Sequence, residues 1–138
     1  LWVAHLAWCA SGEAGEKRST LHGTEQSFAV SAPVPAEAAR AALARYLDWY
    51  WEGVHRPLLV LPRATYAYAC GRGGRGEPLN AARREWTGND FQGIPGDRHD
   101  PYVALVLRGT AGDPLALADF PRLADALYGE ALGAGSLA

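Results

Sequence analysis

The sequence predicts an α+β fold that is mostly helical and forms a single domain over residues 1–138. Apolar residues recur at helical spacing in several segments, and these segments carry residues that start and end helices. One early segment instead alternates loosely between apolar and polar residues, which is typical of a β-hairpin. The 138 residues are 49% hydrophobic and 20% charged, so we expect the chain to bury one core rather than remain disordered.

The first element is a helix over residues 1–10, LWVAHLAWCA, whose apolar side chains point in almost every direction. A helix that is apolar on all sides is expected to be buried on all sides. The chain contains no Met and begins at Leu1 inside this pattern, so we expect a fragment of a longer chain. A polar, Gly-rich turn follows at residues 12–17, and a β-hairpin is predicted within residues 18–34.

The clearest helix runs from Pro35 to Arg56. Pro35 suits the first helical turn, and the proline after Arg56 pushes that residue out of the helical region. One face collects apolar residues at helical spacing: Leu43, Tyr46, Leu47, Tyr50, Trp51 and Val54. We interpret this face as a core face, with Trp49 at its edge as a candidate interface residue. The PLLVLP segment that follows is predicted to be a short buried strand or an extended segment.

Two further helices are predicted on either side of an acidic segment. A Gly/Arg loop at residues 71–76 precedes a short helix, LNAARREW, whose expected N-cap is Asn80. After the acidic segment, Asp119 is the expected N-cap of a last helix, FPRLADALYGEAL. Residues 131–138 are expected to fray.

The acidic segment at residues 88–102, GNDFQGIPGDRHDPY, crowds three carboxylates before another predicted helix. Asp100 is the expected N-cap of that helix, which a strand over residues 102–107 would replace. Asn, Asp and Gly are typical turn residues, so turns and a cap explain the segment. The alternative is a divalent-metal nuclease or hydrolase that uses Asp90, Asp97 and Asp100, which requires the three carboxylates to converge.

The charged residues limit the functions open to the chain. A formal net charge of −2 provides no global positive field for nucleic acid, so a DNA contact requires a local patch. The best candidates for DNA binding are four arginines: Arg72, Arg75, Arg83 and Arg84. The alternative interpretation is that these arginines only form a solvated loop and helix face. An active PD-(D/E)xK nuclease needs an acidic residue two positions before a lysine, whereas the only lysine, Lys17, has Gly15 there.

Other cofactor chemistry is not indicated. Cys9 and Cys70 are too few for a disulfide framework or a zinc site with paired thiolates, so a reducing cytoplasm is the simplest compartment. The Gly-rich loop lacks the Lys-Ser/Thr ending of a nucleotide-binding P-loop. No apolar run is long enough to suggest a membrane span, and no signal peptide is visible. We therefore expect no cofactor, no metal and no membrane partner.

Two stretches of the chain contain recognisable sequence motifs. The first, LWxxHLxxCASG, comprises Leu1, Trp2, His5, Leu6, Cys9, Ala10, Ser11 and Gly12. The second, LDxYxxGxxxPLLVLP, comprises Leu47, Asp48, Tyr50, Gly53 and the segment from Pro57 to Pro62. In this order and spacing they resemble the C-terminal region of the RecC family, the gamma chain of the bacterial exodeoxyribonuclease V or RecBCD helicase-nuclease. The GDRHDPY stretch, with Asp100, is similar to the family more loosely.

The resemblance implies part of a PD-(D/E)xK nuclease-like domain, of restriction-endonuclease-like architecture, that has lost its catalytic residues. It also implies a scaffold and DNA guide for two motor subunits, and thus RecB-like and RecD-like partners and DNA, in double-strand-break repair by homologous recombination. The matched residues would then be structural, and the chain would not be an enzyme by itself. The metal-dependent nuclease and a stand-alone nucleic-acid-binding module are the alternatives.

Overall fold

The structure of the chain, a computed structural model, describes residues 1–24, 27–72 and 77–137. Its helices are α1 (Trp2–Ala10), α2 (Ala36–His55), α3 (Pro62–Arg72), α4 (Pro78–Thr87), α5 (Pro101–Val106), α6 (Asp119–Ala124) and α7 (Glu130–Ala134). Its strands are β1 (Ser19–His22), β2 (Ser27–Val30), β3 (Gly88–Asn89), β4 (Ile94–Pro95) and β5 (Gly135–Leu137). The described residues are mostly helical and include two small antiparallel sheets, which confirms the coarse α+β prediction.

The chain divides into two compact units. Unit 1 contains Leu1–Arg56 and Glu130–Ala138, and unit 2 contains Pro57–Gly129. Each unit has its own buried cluster of apolar side chains. That the two units belong to one domain stays a prediction.

The three-stranded sheet of unit 1 contains the predicted hairpin. β1 and β2 are antiparallel, with Ser19 opposite Val30. β5 pairs with β2 as well, with Gly135 opposite Val30. A Cβ on Gly135 would lie 2.2 Å from the ring of Phe28, so glycine suits this place. The sequence predicts a frayed tail over residues 131–138, whereas most of it forms α7 and β5, because β2 offers backbone partners from a distant part of the sequence.

The helices of unit 1 meet through small and medium side chains. The buried cluster between α1 and α2 consists of Leu6, Cys9, Ala39 and Ala42. The two alanines add little volume, so the helices can approach closely. Leu1, Val3 and Trp8 are exposed. The described residues therefore cover only part of α1, and burial of its other faces by a longer chain stays a prediction.

Unit 2 is built around α3 and α4, which pack against each other. Its buried cluster consists of Leu61, Ala64, Ala82, Val103, Leu115 and Phe120. The strand alternative for PLLVLP is wrong, because residues 57–61 form neither helix nor strand before α3 begins at Pro62. The sequence did not predict α3. Its last turn contains Gly71 and Arg72, which were assigned to the Gly/Arg loop, and residues 73–76 of that loop lie outside the described residues.

Two of the three predicted helix caps are wrong. α4 has Glu77 as its N-cap residue and Pro78 in its first turn, so Asn80 lies inside the helix; proline suits that turn because its missing N–H needs no partner there. α6 follows Ala118, and Asp119 is its first residue, whose carboxylate pairs with Arg122 instead of capping the backbone.

The third predicted cap is confirmed. The Asp100 carboxylate accepts hydrogen bonds from the backbone N–H of Tyr102 at 2.8 Å and of Val103 at 3.3 Å. These donors belong to the first turn of α5, where no intrahelical partner exists. The strand alternative for residues 102–107 is wrong, because most of them form α5.

Candidate functional site

The first motif, LWxxHLxxCASG, contains a histidine, His5, that is buried near the centre of α1. His5 Nδ1 lies 2.9 Å from the Ser19 hydroxyl oxygen, and His5 Nε2 lies 3.5 Å from Cys9 Sγ. Trp2 stacks on the imidazole at 5.9 Å between ring centroids. Both ring nitrogens thus have polar partners inside unit 1. His5 joins α1 to β1 and leaves no ring nitrogen facing a substrate.

The carbonyl end of α1 is held by two cations. Lys17 Nζ donates to the Trp8 carbonyl at 2.9 Å and to the Cys9 carbonyl at 3.4 Å. Arg40 Nη2 donates to the Ala10 carbonyl at 2.9 Å. Cations at this end satisfy unpaired carbonyls and complement the helix dipole. The only lysine of the chain therefore binds the carbonyl groups at the end of a helix.

The last two residues of the first motif, Ser11 and Gly12, complete the C-terminal cap of α1. The Ser11 hydroxyl donates to the Trp8 carbonyl at 2.7 Å. Gly12 follows with φ of 75°, a left-handed conformation that glycine adopts without strain and that commonly ends helices. The sequence CASG thus has a local structural explanation.

Leu47 and Tyr50 of the second motif lie on an exposed face of α2. We call Leu47, Tyr50, Trp51 and Val54 the α2 stripe; between 58% and 66% of each residue is exposed. The sequence assigned these residues to the core, and that prediction is wrong for this chain. The buried residues of α2 are Ala39 and Ala42, which lie about 100° around the helix from the stripe at 3.6 residues per turn. The helix α1 covers that alanine face, so the stripe lies beside the buried face and not on it.

Asp97 has a structural role that joins distant parts of unit 2. Its side chain is buried, with 4% exposed. Oδ2 accepts from the backbone N–H of Arg63 at 3.0 Å and of Ala64 at 2.8 Å, and Oδ1 lies 3.3 Å from the same Arg63 nitrogen. Because these donors lie at the start of α3, Asp97 caps a helix that begins 35 residues before it. A Cβ on neighbouring Gly96 would lie 2.3 Å from the Trp86 carbonyl oxygen, so this close approach requires glycine.

The three carboxylates of the acidic segment have separate partners. Asp97 caps α3, Asp100 caps α5, and Asp90 forms an ion pair with Arg98 at 3.2 Å. Within the described ranges, no group of three or more His, Cys, Asp or Glu side chains is placed to hold a metal ion. The convergence that the metal-dependent alternative requires is therefore not found in this part of the chain.

The predicted arginine patch is only partly available for DNA. Arg72 pairs with Asp125 at 3.4 Å, and Arg83 pairs with Asp113 at 3.3 Å. Arg84 is exposed and, in the part of the chain that the structure describes, its side chain has no hydrogen bond or ion pair. Arg83 and Arg84 line an open groove of about 730 Å³. The fourth member, Arg75, lies outside the described residues.

Comparison with known proteins gives the family. The family model of the RecC C-terminal domain matches residues 1–72, which is just over half of the chain. The chain belongs to the RecC C-terminal domain family. The RecBCD enzyme subunit RecC of Escherichia coli (strain K12) is 42% identical over 69 residues, which make up 49% of this chain and 6% of that subunit. The chain thus spans a small part of the length of RecC.

The match to the family model contains both motifs and ends with α3. Arg83, Arg84 and the acidic segment at residues 88–102 lie beyond it, so their assignment depends on their own geometry. Among the described residues of this RecC-type chain, no helix is both long and apolar enough to cross a membrane.

Sequence reasoning missed an aromatic pocket in this RecC-type chain. Tyr66 and Tyr128 meet edge to face at 5.4 Å between ring centroids. They line an open pocket of about 430 Å³ together with Cys70. The hydrogen bond to the Cys70 side chain, followed by burial, raises the pKa of Tyr66 above its usual value. A helix prediction for α3 would have placed Tyr66 beside Cys70, because positions 66 and 70 lie one turn apart.

Proposed function

We propose that this chain is a non-catalytic part of the RecC subunit of a RecBCD-type helicase-nuclease, exodeoxyribonuclease V. There it serves as a scaffold and DNA guide in double-strand-break repair by homologous recombination. Its partners are RecB-like and RecD-like subunits and DNA, in the cytoplasm, and its parent domain is an inactive PD-(D/E)xK nuclease-like domain. Membership of the RecC C-terminal domain family supports this proposal.

The observation that carries the proposal is the use of the Asp97 carboxylate. A catalytic carboxylate must direct free lone pairs at a metal ion or a substrate. Both oxygens of Asp97 instead face the backbone N–H groups that start α3. Lys17, the residue type that stabilises developing charge in such nucleases, holds the end of α1. Each of these two groups thus binds backbone atoms at a helix end within its own unit.

Substitution of an exposed carboxylate tests the non-catalytic role. In the assembled enzyme, Asp90→Asn is expected to leave the rate of Mg²⁺-dependent cleavage of linear duplex DNA unchanged, because Asp90 only pairs with Arg98 at the surface. Asp119→Asn is a matched control, since it also removes an exposed carboxylate paired with an arginine. Loss of cleavage with Asp90→Asn but not with Asp119→Asn would contradict the proposal.

The DNA-guiding part of the proposal depends on the groove beside α4. Arg84 is the described arginine there without an ion pair, whereas Asp113 neutralises Arg83. A guanidinium that contacts a phosphate releases a counterion and so makes DNA binding depend on salt. We therefore assign the main phosphate contact of this groove to Arg84.

A pair of alanine substitutions in the assembled enzyme tests this contact. Arg84→Ala is expected to weaken duplex binding and to reduce the slope of log affinity against log salt by about 1. Arg83→Ala is expected to change both quantities less, because its charge is already paired. The measurement is a fluorescence-anisotropy titration at several salt concentrations. Identical slopes for wild type and both variants would remove DNA guiding from the proposed function.

A further inference from the structure

The polar row of α4 consists of side chains that the described part of the chain leaves unpaired. We give this name to Asn80, Arg84 and Thr87, which line the open groove of about 730 Å³. Among the described residues, none of these three side chains has a hydrogen bond or ion pair. The other charged side chains of α4, Arg83 and Glu85, both form ion pairs within unit 2. The polar row is therefore the part of the helix that is free to bind a ligand.

The members of the polar row lie on one side of α4. They occupy positions i, i+4 and i+7, so at 3.6 residues per turn they point within about 60° of one another. At a rise of 1.5 Å per residue, Asn80 lies about 6 Å before Arg84 along the helix axis, and Thr87 lies about 4.5 Å after it. Arg84 thus has one neutral hydrogen-bonding side chain about a turn away on each side.

Small residues make the polar row accessible from the groove. Gly71, Ala81 and Gly88 line the same groove. A Cβ on Gly71 would lie 2.9 Å from the Cα of Pro78, so glycine lets the end of α3 and the start of α4 meet closely. These small side chains do not shield the polar row. An extended phosphodiester strand can therefore approach α4 through the groove.

The side chain of Asn80 is available because it does not cap its own helix. Glu77 holds the N-cap position and Pro78 occupies the first turn, so Asn80 lies inside α4 and is exposed. Its amide carries two N–H donors, and the Thr87 hydroxyl carries one more. Phosphate oxygens accept hydrogen bonds from such neutral side chains as well as from arginine.

Glu77 limits how far along α4 a phosphate can lie. It is exposed and lines the groove, and within residues 1–24, 27–72 and 77–137 its side chain has no ion pair. It lies seven residues before Arg84, which is about 10 Å along the helix axis. This separation is about one Debye length at 0.1 M salt. The Glu77 carboxylate therefore repels a phosphate at the start of α4 more strongly than one at Arg84.

We propose that the polar row binds the phosphodiester backbone of one DNA strand without reading its sequence. Arg84 neutralises one phosphate, Asn80 and Thr87 donate hydrogen bonds to that phosphate or its neighbours, and Glu77 keeps phosphates away from the first turn of α4. Phosphates are the expected ligands, because most hydrogen bonds between proteins and DNA go to phosphate and sugar groups. This inference rests on the proposed DNA-guiding role and names the residues that position the strand.

Alanine substitutions in the assembled enzyme test the neutral contacts, by fluorescence-anisotropy titration of a labelled duplex at several salt concentrations. Asn80→Ala and Thr87→Ala are each expected to weaken binding about tenfold at fixed salt, near the lower end of what a hydrogen bond to a charged group contributes. Both should leave the slope of log affinity against log salt unchanged, because a neutral donor releases no counterion. Arg84→Ala, by contrast, should reduce the slope by about 1. Alanine favours helix, so α4 should stay folded in each variant.

Thr110→Ala is the matched control for the neutral contacts. It removes a hydroxyl from an exposed residue of unit 2 that does not line the groove, and it should leave the affinity unchanged. Asn80→Asp keeps the size of the side chain but places a carboxylate in the polar row. It should therefore weaken binding more than Asn80→Ala does.

Glu77→Gln tests the repulsion at the start of α4. It is expected to strengthen duplex binding about threefold, the size of one interaction between exposed charges. Glu13→Gln is its matched control, since it removes an exposed carboxylate that does not line the groove and should leave the affinity unchanged.

Unchanged affinity with either Asn80→Ala or Thr87→Ala would overturn the proposal. A loss that differed between two duplexes of unrelated sequence would overturn it too, because it would indicate that the polar row reads bases. Both outcomes leave DNA guiding standing if Arg84→Ala still reduces the salt slope. Identical slopes for wild type and Arg84→Ala would instead contradict the DNA-guiding part of the proposed function.

Discussion

Phe120→Ala is expected to lower the free energy of unfolding by about 3–5 kcal/mol, the usual cost of truncating a fully buried phenylalanine. No part of Phe120 is exposed, and its ring meets Tyr68 edge to face at 5.4 Å between centroids. It lies in the buried cluster of unit 2 with Leu61 and Leu115. The substitution therefore removes both the apolar contact and the aromatic pair. Urea denaturation of the chain, followed by circular dichroism, measures the change.

Phe91→Ala is the matched control for this substitution. It deletes the same atoms from a side chain that is 99% exposed. Since Phe91 has almost no contact to lose, we expect no measurable change in the denaturation midpoint. If both variants lost equal stability, the assignment of Phe120 to the core of unit 2 would be wrong.

Asp97→Ala is expected to lower the free energy of unfolding by about 2–4 kcal/mol, from a lost helix cap and from one buried and one partly buried donor left without an acceptor. The donors are the backbone N–H groups of Arg63 and Ala64 at the start of α3. Asp97→Asn keeps one carbonyl oxygen and nearly the same volume, so its loss should be smaller. Denaturation of the two variants beside wild type gives the comparison.

Asp90→Ala separates this cap from a general effect of removing acidic residues. Asp90 belongs to the same segment but forms an exposed ion pair with Arg98, which contributes little to stability. We expect its denaturation midpoint to equal that of wild type. A midpoint for Asp97→Ala that also equals wild type would contradict the assignment of Asp97 as a helix cap.

The sequence predicted those elements whose signals are local. The hairpin of β1 and β2 and the cap of α5 by Asp100 each lie within a short stretch and were predicted correctly. α3 was missed because its cap, Asp97, lies far along the chain from Pro62. β5 was missed for the same reason, since its partner β2 is separated from it by more than a hundred residues.

Periodicity identified the apolar face of α2 but not its environment. Hydrophobic spacing shows that a face is apolar, whereas the packing of α1 decides which face is covered. The covered face contains Ala39 and Ala42, whose small side chains made it the weaker signal. The arginine patch was uncertain for a similar reason. The pairing of Arg83 with Asp113 connects positions 30 residues apart, which spacing alone does not indicate.

The central claim is that Asp97 and Asp100 cap helices and that no carboxylate of the acidic segment catalyses a reaction. The most direct measurement is the Mg²⁺-dependent cleavage rate of the assembled enzyme carrying Asp97→Asn, at a temperature where that variant is folded. We predict the wild-type rate, because Asp97 caps α3 and a folded variant retains the same surfaces. A fall of about a hundredfold or more, the size expected for loss of a catalytic group, would contradict the claim.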